Sequence, residues 1–123
     1  MVFDTGVLIW VLRGNEKAVA LVEADGGRAV SVVTSMELLQ GARDKREMAE
    51  IRRFLAGFEV IPVSEEMSYR ALLYMEQYAL KKGLSPLDAL IGAAAIERQK
   101  VLCSGNTKHY GPIEGLELRR FRA

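Results

Sequence analysis

Short apolar runs and stretches of helical spacing alternate along the chain. Residues 1–3 form an apolar run that ends at Asp4-Thr5-Gly6, and 7–12 continues as one or two helical turns stopped near Gly14. Asn15 is placed to cap a helix over 16–23 with Ala18, Leu21 and Val22 facing inward, and Asp25-Gly26-Gly27 signals a turn. The β-branched and apolar run 28–33 predicts a second strand. Thr34-x-x-Glu37 resembles a capping box and predicts a helix over 35–43, its buried side made by Met36, Leu38, Leu39 and Ala42. Another helix follows over 44–56, with Met48, Ile51 and Leu55 inward.

Residues 58–63 read as a short strand, which Pro62 confines to a sheet edge. Ser64 opens a long helix to about residue 82, with Tyr69, Leu72, Leu73, Ala79 and Leu80 as its expected core stripe, and Gly83 ends it. Ser85 caps the next helix and Pro86 suits its first position; Leu87, Leu90, Ile91 and Ala94 recur at helical spacing along an alanine-rich run. The apolar run 101–103 is a strand left through Ser104-Gly105-Asn106-Thr107, and 116–118 predicts a last one. Strands separated by helices call for right-handed crossovers and a parallel sheet. The expected fold class is α/β: one three-layer α/β/α domain over 1–123, built on a central, mostly parallel sheet of four to five strands.

Composition narrows the class further. With 123 residues, half of them hydrophobic, the chain can bury a real core. No apolar run reaches the ~18 residues that span a bilayer, and no signal-peptide pattern opens the chain, so no membrane association is expected. The lone Cys103 excludes an internal disulfide and suits a reducing cytoplasm; its apolar neighbours predict a buried thiol. A net charge of +1 does not by itself imply nucleic-acid binding. Arg43, Lys45, Arg46, Arg52 and Arg53 cluster in one helical region, and Arg119, Arg120 and Arg122 near the end of the sequence. They form a solvated surface or, if they converge on an acidic site, a phosphate-tracking rim.

The candidate chemistry lies at the strand ends. Asp4, Glu37 and Asn106 each follow an expected strand, and Asp88 opens a helix packed on the same sheet. A parallel sheet collects such residues at one edge, where ligands bind. Strand-to-helix junctions are also where caps belong, and for Asp88 cap and ligand stay equally open. Carboxylates held close together repel one another unless a cation lies between them, and hard oxygen donors suit Mg2+ or Mn2+. One histidine and one cysteine make no usual zinc site, and neither a nucleophile elbow nor a glycine-rich phosphate loop is present. An acid-only site of this kind suits metal-assisted attack of water on a phosphodiester. Thr5 and Ser104 are possible helpers, each with the alternative duty of satisfying turn backbone. The alternative class is a non-catalytic module that uses the acidic rim for partner contact.

Four segments carry a family resemblance: Val2-Phe3-Asp4-Thr5-Gly6-Val7-Leu8-Ile9, then 31–41 around Glu37, Leu87-Asp88-Ala89-Leu90-Ile91-Gly92-Ala93-Ala94-Ala95, and 102–110 around Asn106. In this order the chain resembles the PIN-domain nucleases, and most closely the VapC-type toxins of prokaryotic toxin–antitoxin pairs. The resemblance implies a PIN-like α/β/α fold and a Mg2+- or Mn2+-dependent endoribonuclease acting on RNA. It implies that Asp4 and Asp88 bind the metal directly and that Glu37 completes the acidic cluster, directly or through water. Asn106 falls where the family places a fourth polar or acidic residue. A cognate antitoxin partner is implied too, with its tail in an apolar groove to which Trp10, Leu12, Phe54 and Phe58 could contribute; relatives are commonly homodimers.

Overall fold

The computed structural model describes residues 1–123. Its strands are β1 (Val2–Phe3), β2 (Ala29–Ser31), β3 (Glu59–Ile61), β4 (Leu102–Ser104) and β5 (Leu118–Arg120). Its helices are α1 (Thr5–Leu12), α2 (Glu16–Glu23), α3 (Val32–Gln40), α4 (Lys45–Leu55), α5 (Glu65–Lys82), α6 (Pro86–Glu97) and α7 (Thr107–Tyr110). The five strands lie in the order β3-β2-β1-β4-β5 and every neighbouring pair is parallel. The expected three-layer α/β/α fold is therefore present, with the Pro62-bearing strand at an edge.

The chain runs from β1 outward through β2 to β3 and then returns to the other side of β1 as β4. The order reverses between β1 and β4, and the crevice of a parallel sheet opens at such a reversal, outside the strand C-termini. On one face of the sheet α5 and α6 bury Met67, Ala71, Tyr74, Ala89, Ile91 and Ala93. On the other, α1, α2 and α4 bury Leu8, Val22, Ile51 and Leu55 around Phe3 and Phe58. Full burial of each large apolar side chain contributes about 1.5–3 kcal/mol.

Local capping sets the helix starts. The side chains of Asn15, Ser64 and Ser85 accept from the N–H groups of Ala18, Met67 and Asp88, as the sequence predicts. Gly83 closes α5 at φ +70°, a conformation in which a side chain is strained. Three expectations need correction. The helix bearing Glu37 starts at Val32, capped by Ser31, so Thr34 is a fully buried helical residue rather than a cap. Met36 faces solvent, not the core. In α5 the buried positions are Met67, Ala71 and Tyr74, while Tyr69, Leu72, Leu73 and Leu80 are exposed. The small Ala71 lets α5 approach the alanine face of α6, and this choice turns the large leucines outward. No helix is long and apolar enough to cross a membrane.

Candidate active site

Asp4 ends β1 and caps α1, and both duties fix its carboxylate at the C-terminal edge of the sheet. Its N–H donates to the Cys103 carbonyl at 2.9 Å, tying it to β4. Oδ1 accepts from the Thr5 N–H at 2.9 Å, and Oδ2 accepts from the Ser104 hydroxyl at 2.7 Å. Ser104 is wholly buried at the end of β4, and its Oγ also accepts the Asn106 N–H at 2.9 Å. Ser104 thus orients Asp4 and the start of the β4–α7 connection together.

Asp88 comes from the first turn of α6, and the cap-or-ligand alternative separates here into two groups. Its N–H donates to Ser85 Oγ at 3.2 Å, while its carboxylate turns away to α7. There the Tyr110 hydroxyl lies 3.2 Å from Asp88 Oδ1 and 3.3 Å from Asp4 Oδ1. A phenol has one proton, so it can satisfy one carboxylate while its oxygen faces the other. Tyr110 is fully buried and Asp4 only 8% exposed. Burial, then the charge of Asp88, pushes the Asp4 carboxyl above its ordinary range against the pull of its hydrogen bonds. The Tyr110 hydroxyl is pushed far up by burial and by both carboxylates, so it keeps its proton.

Glu37 reaches the same edge from the second turn of α3. Its Oε1 accepts from the Thr5 hydroxyl at 2.7 Å, and that hydroxyl shares a 3.0 Å hydrogen bond with Thr34. Thr5 therefore links Glu37 to Asp4 through its side chain and its N–H. Asn106 is joined to Asp88 indirectly: its amide Nδ2 lies 2.8 Å from His109 Nδ1, which lies 3.1 Å from Asp88 Oδ2. One ring nitrogen cannot both accept from the amide and donate to the carboxylate, so the tautomer of His109 sets which neighbour it bonds.

The fold brings Asp4 and Asp88 together as a pair, with Glu37 one residue behind Thr5 and Asn106 one residue behind His109. No three acidic, histidine or cysteine side chains converge into a ready-made ion cage. The expected three-carboxylate set is thus drawn together by the fold without closing into one ligand shell. The donor chemistry still fits a hard divalent ion: two carboxylates face each other across a single proton, and Mg2+ is held by one or two carboxylates with water completing its shell. Tyr110 and His109 are not among the site residues to which the sequence points. Their trace in the sequence is the spacing Asn106-x-x-His109-Tyr110, which one turn of helix folds back onto Asp88.

Two clefts flank this centre. The larger, about 630 Å3, lies between α1, α3 and α4 and includes Ile9, Leu12, Glu37 and Ile51. The smaller, about 400 Å3, includes Asp4, Trp10, Asn106 and Phe121. Trp10 and Leu12 are exposed, whereas Phe58 is buried and stacks edge-on with Phe54 at 5.1 Å, so the expected groove residues divide between surface and core. On α4 and just before it the basic cluster is partly paired: Arg43 with Glu47 at 2.8 Å, and Arg46 with Glu50 at 3.3 Å.

The sequence family described as PIN domain matches residues 1–110. The chain belongs to the PIN-domain family. This PIN domain is 36% identical over 118 residues to Ribonuclease VapC10 of Mycobacterium tuberculosis strain ATCC 25618 / H37Rv, covering 93% of the chain and 88% of the relative. It superposes on a toxin–antitoxin complex from Klebsiella pneumoniae with a TM-score of 0.81 at 29% identity, covering 94% and 93% of the two chains. The fold alone is shared with DNA-bound VapBC from Salmonella typhimurium, at a TM-score of 0.84, 21% identity and coverage of 97% and 96%.

Proposed function

We propose that this chain is the toxin of a toxin–antitoxin pair: an endoribonuclease, formed by a single PIN-like domain over 1–123, that hydrolyses RNA phosphodiester bonds with Mg2+ or Mn2+. The observation that carries the reading is the Asp4–Tyr110–Asp88 bridge, two carboxylates at the C-terminal edge of the sheet with one hydroxyl between them. Membership of the PIN family and 36% identity to a ribonuclease support the same chemistry.

In this reading Asp4 and Asp88 hold the cation. A cation held there would supply Lewis-acid polarisation of the scissile phosphate and a more nucleophilic water at neutral pH. The chain's own residues do the rest. Ser104 and the Thr5 N–H fix both oxygens of Asp4. Thr5 holds Oε1 of Glu37, leaving Oε2 free to orient the attacking water and take its proton. Asn106 acts through His109 to hold Asp88. The partner is a cognate antitoxin, which the relatedness to a toxin–antitoxin complex supports. For a homodimer, the exposed stripe of Tyr69, Leu72, Leu73 and Leu80 on α5 is the candidate face. A cytoplasmic location suits the free, buried Cys103.

The test is cleavage of RNA by purified protein in Mn2+ or Mg2+ with a chelator control. Asp4→Asn and Asp88→Asn are expected to lower cleavage at least a hundredfold while keeping the far-ultraviolet spectrum of the native fold. Undiminished cleavage in either variant overturns the site assignment. Absence of Mn2+ binding by calorimetry favours the non-catalytic module instead.

A further inference from the structure

The smaller cleft opens beside Asp4, between the first turns of α1, the β4–α7 connection and the residues after β5. Its volume of about 400 Å3 lies within the roughly 300–1,000 Å3 of small-molecule sites. Three features of its wall are specific. Trp10 presents an indole that is 41% exposed although α1 buries Val7 and Leu8 on its other side. At Gly6 the wall faces open space, a Cβ there meeting nothing within 4 Å. Gly105 lets the segment after β5 close in, because a Cβ there would stand 3.2 Å from the Phe121 carbonyl. Phe121 is thereby held against β4, its N–H donating to the Ser104 carbonyl at 3.0 Å.

The one ionisable side chain in the wall is Asp4, and the cations stand beside the cleft, Arg13 on the wall of the larger one. The Arg13 guanidinium lies over the Trp10 ring, 5.8 Å from its centroid, and Lys108 and Arg122 are exposed on the flanking segments. Asp4 and Asn106 belong to the wall itself, so whatever enters the cleft lies against the proposed reaction centre. An indole with an adjacent arginine binds any nucleobase through its π-face, and that face is accessible only in unpaired strands.

We propose that this cleft is a nucleobase subsite: it takes the base of an unpaired nucleotide flanking the cut phosphate and stacks it on Trp10. The inference rests on the ribonuclease reading and deepens it, assigning Trp10 as the residue that holds an unpaired base beside the reaction centre.

Trp10 is the sole tryptophan, so intrinsic emission reports on this cleft alone. The experiment titrates the chelated full chain with a single-stranded RNA octamer, following tryptophan emission and, in parallel, the anisotropy of end-labelled octamer. Saturable quenching is expected for wild type. Stacking on one side chain corresponds to roughly a 5- to 150-fold change in Kd, so Trp10→Ala is expected to weaken binding by at least fivefold and Trp10→Phe to restore most of it. Trp10 lies on the surface of α1, and circular dichroism of both variants checks that the fold is kept. Labelled RNA that binds without quenching, or with equal Kd in Trp10→Ala, overturns the subsite. If wild type then still cleaves RNA in Mn2+, the ribonuclease reading survives; if RNA is neither bound nor cleaved, both fall. Loss of antitoxin binding in Trp10→Ala with RNA binding unchanged assigns the cleft to protein contact and also overturns the proposal.

Discussion

Tyr110→Phe removes one oxygen atom from the centre of the site and leaves the ring in place. Asp4 then keeps the Thr5 N–H and the Ser104 hydroxyl, and Asp88 keeps His109, but nothing lies between the two carboxylates. Their Oδ1 atoms are 3.3 and 3.2 Å from the same oxygen, so they are at most about 6.5 Å apart. At that separation two unit charges repel by about 2.5 kcal/mol at an effective dielectric near 20. A hydrogen bond to a charged group contributes about 1.5–3 kcal/mol, so the metal-free variant is expected to lose about 2 kcal/mol at neutral pH. With an unfolding entropy of ~2.1 cal/mol/K per residue, that loss lowers the melting temperature by about 8 °C.

The pH dependence carries the sign of the argument. Asp4 titrates higher in the fold than its ordinary 3.8, first because it is buried and then because of Asp88, so ionising it costs stability. That cost is absent below the unfolded value and grows as pH rises through the folded one. The Tyr110 hydroxyl lowers the folded value, and its removal raises it further, so the gap between variant and wild type must open as pH increases from about 4. The groups facing Asp4 are Asp88 from α6, Tyr110 from α7, Ser104 from β4 and Thr5 from α1; none of the four is a cation. Saturating Mn2+ supplies the missing positive charge and is expected to shrink the gap to less than half. Differential scanning calorimetry in chelator and in Mn2+, at pH 4 and pH 7.5, makes the comparison. A gap that is the same under all four conditions refutes the shared-proton account and leaves Tyr110 as packing.

Three further outcomes follow from the same contacts. Ser104→Ala strands both Asp4 Oδ2 and the Asn106 N–H; it is expected to cost about 2–3 kcal/mol by thermal unfolding and at least tenfold in cleavage rate. Thr5→Val keeps the shape but removes the donor to Glu37, so kcat is expected to fall about tenfold with KM nearly unchanged in steady-state cleavage of RNA. The Cys103 thiol is wholly buried and pushed up to about 11, chiefly by burial; at pH 8 it is expected to react with a disulfide-exchange reagent only after denaturant is added.

Caps were legible because they are local. Asn15, Ser64 and Ser85 each precede a helical period by one residue, and each makes the bond its position implies. Residues 28–33 show where such reading stops. Their β-branched character suits a strand throughout, yet the chain leaves the sheet after Ser31 and Val32 and Val33 enter a helix. Docking of α3 on the sheet outweighs an intrinsic preference of a few tenths of a kcal/mol per residue. That shift of one turn buries Thr34, which then meets Thr5 instead of capping anything. The α5 stripe differs from expectation for a related reason: periodicity locates two apolar faces, and only the neighbouring helix decides which is inside. Four residues of α7 carry no period at all, so Tyr110 and His109 could be assigned to the site only from coordinates.

The two aspartates, alike in the sequence, differ in what the fold asks of them. Asp4 caps α1 with one oxygen and takes Ser104 with the other, so its carboxylate is part of the scaffold as well as of the centre. Asp88 contributes its N–H to the helix start, and Ser85 performs the capping; its carboxylate has no backbone partner. Asp88→Asn keeps an acceptor for Tyr110 and His109 while removing the charge that, after burial, pushes the Asp4 carboxyl up. In chelator, then, Asp88→Asn should leave the protein at least as stable as wild type, whereas Asp4→Asn should not. Thermal unfolding of both variants in chelator reads the difference, and a melting temperature of Asp88→Asn well below wild type refutes it.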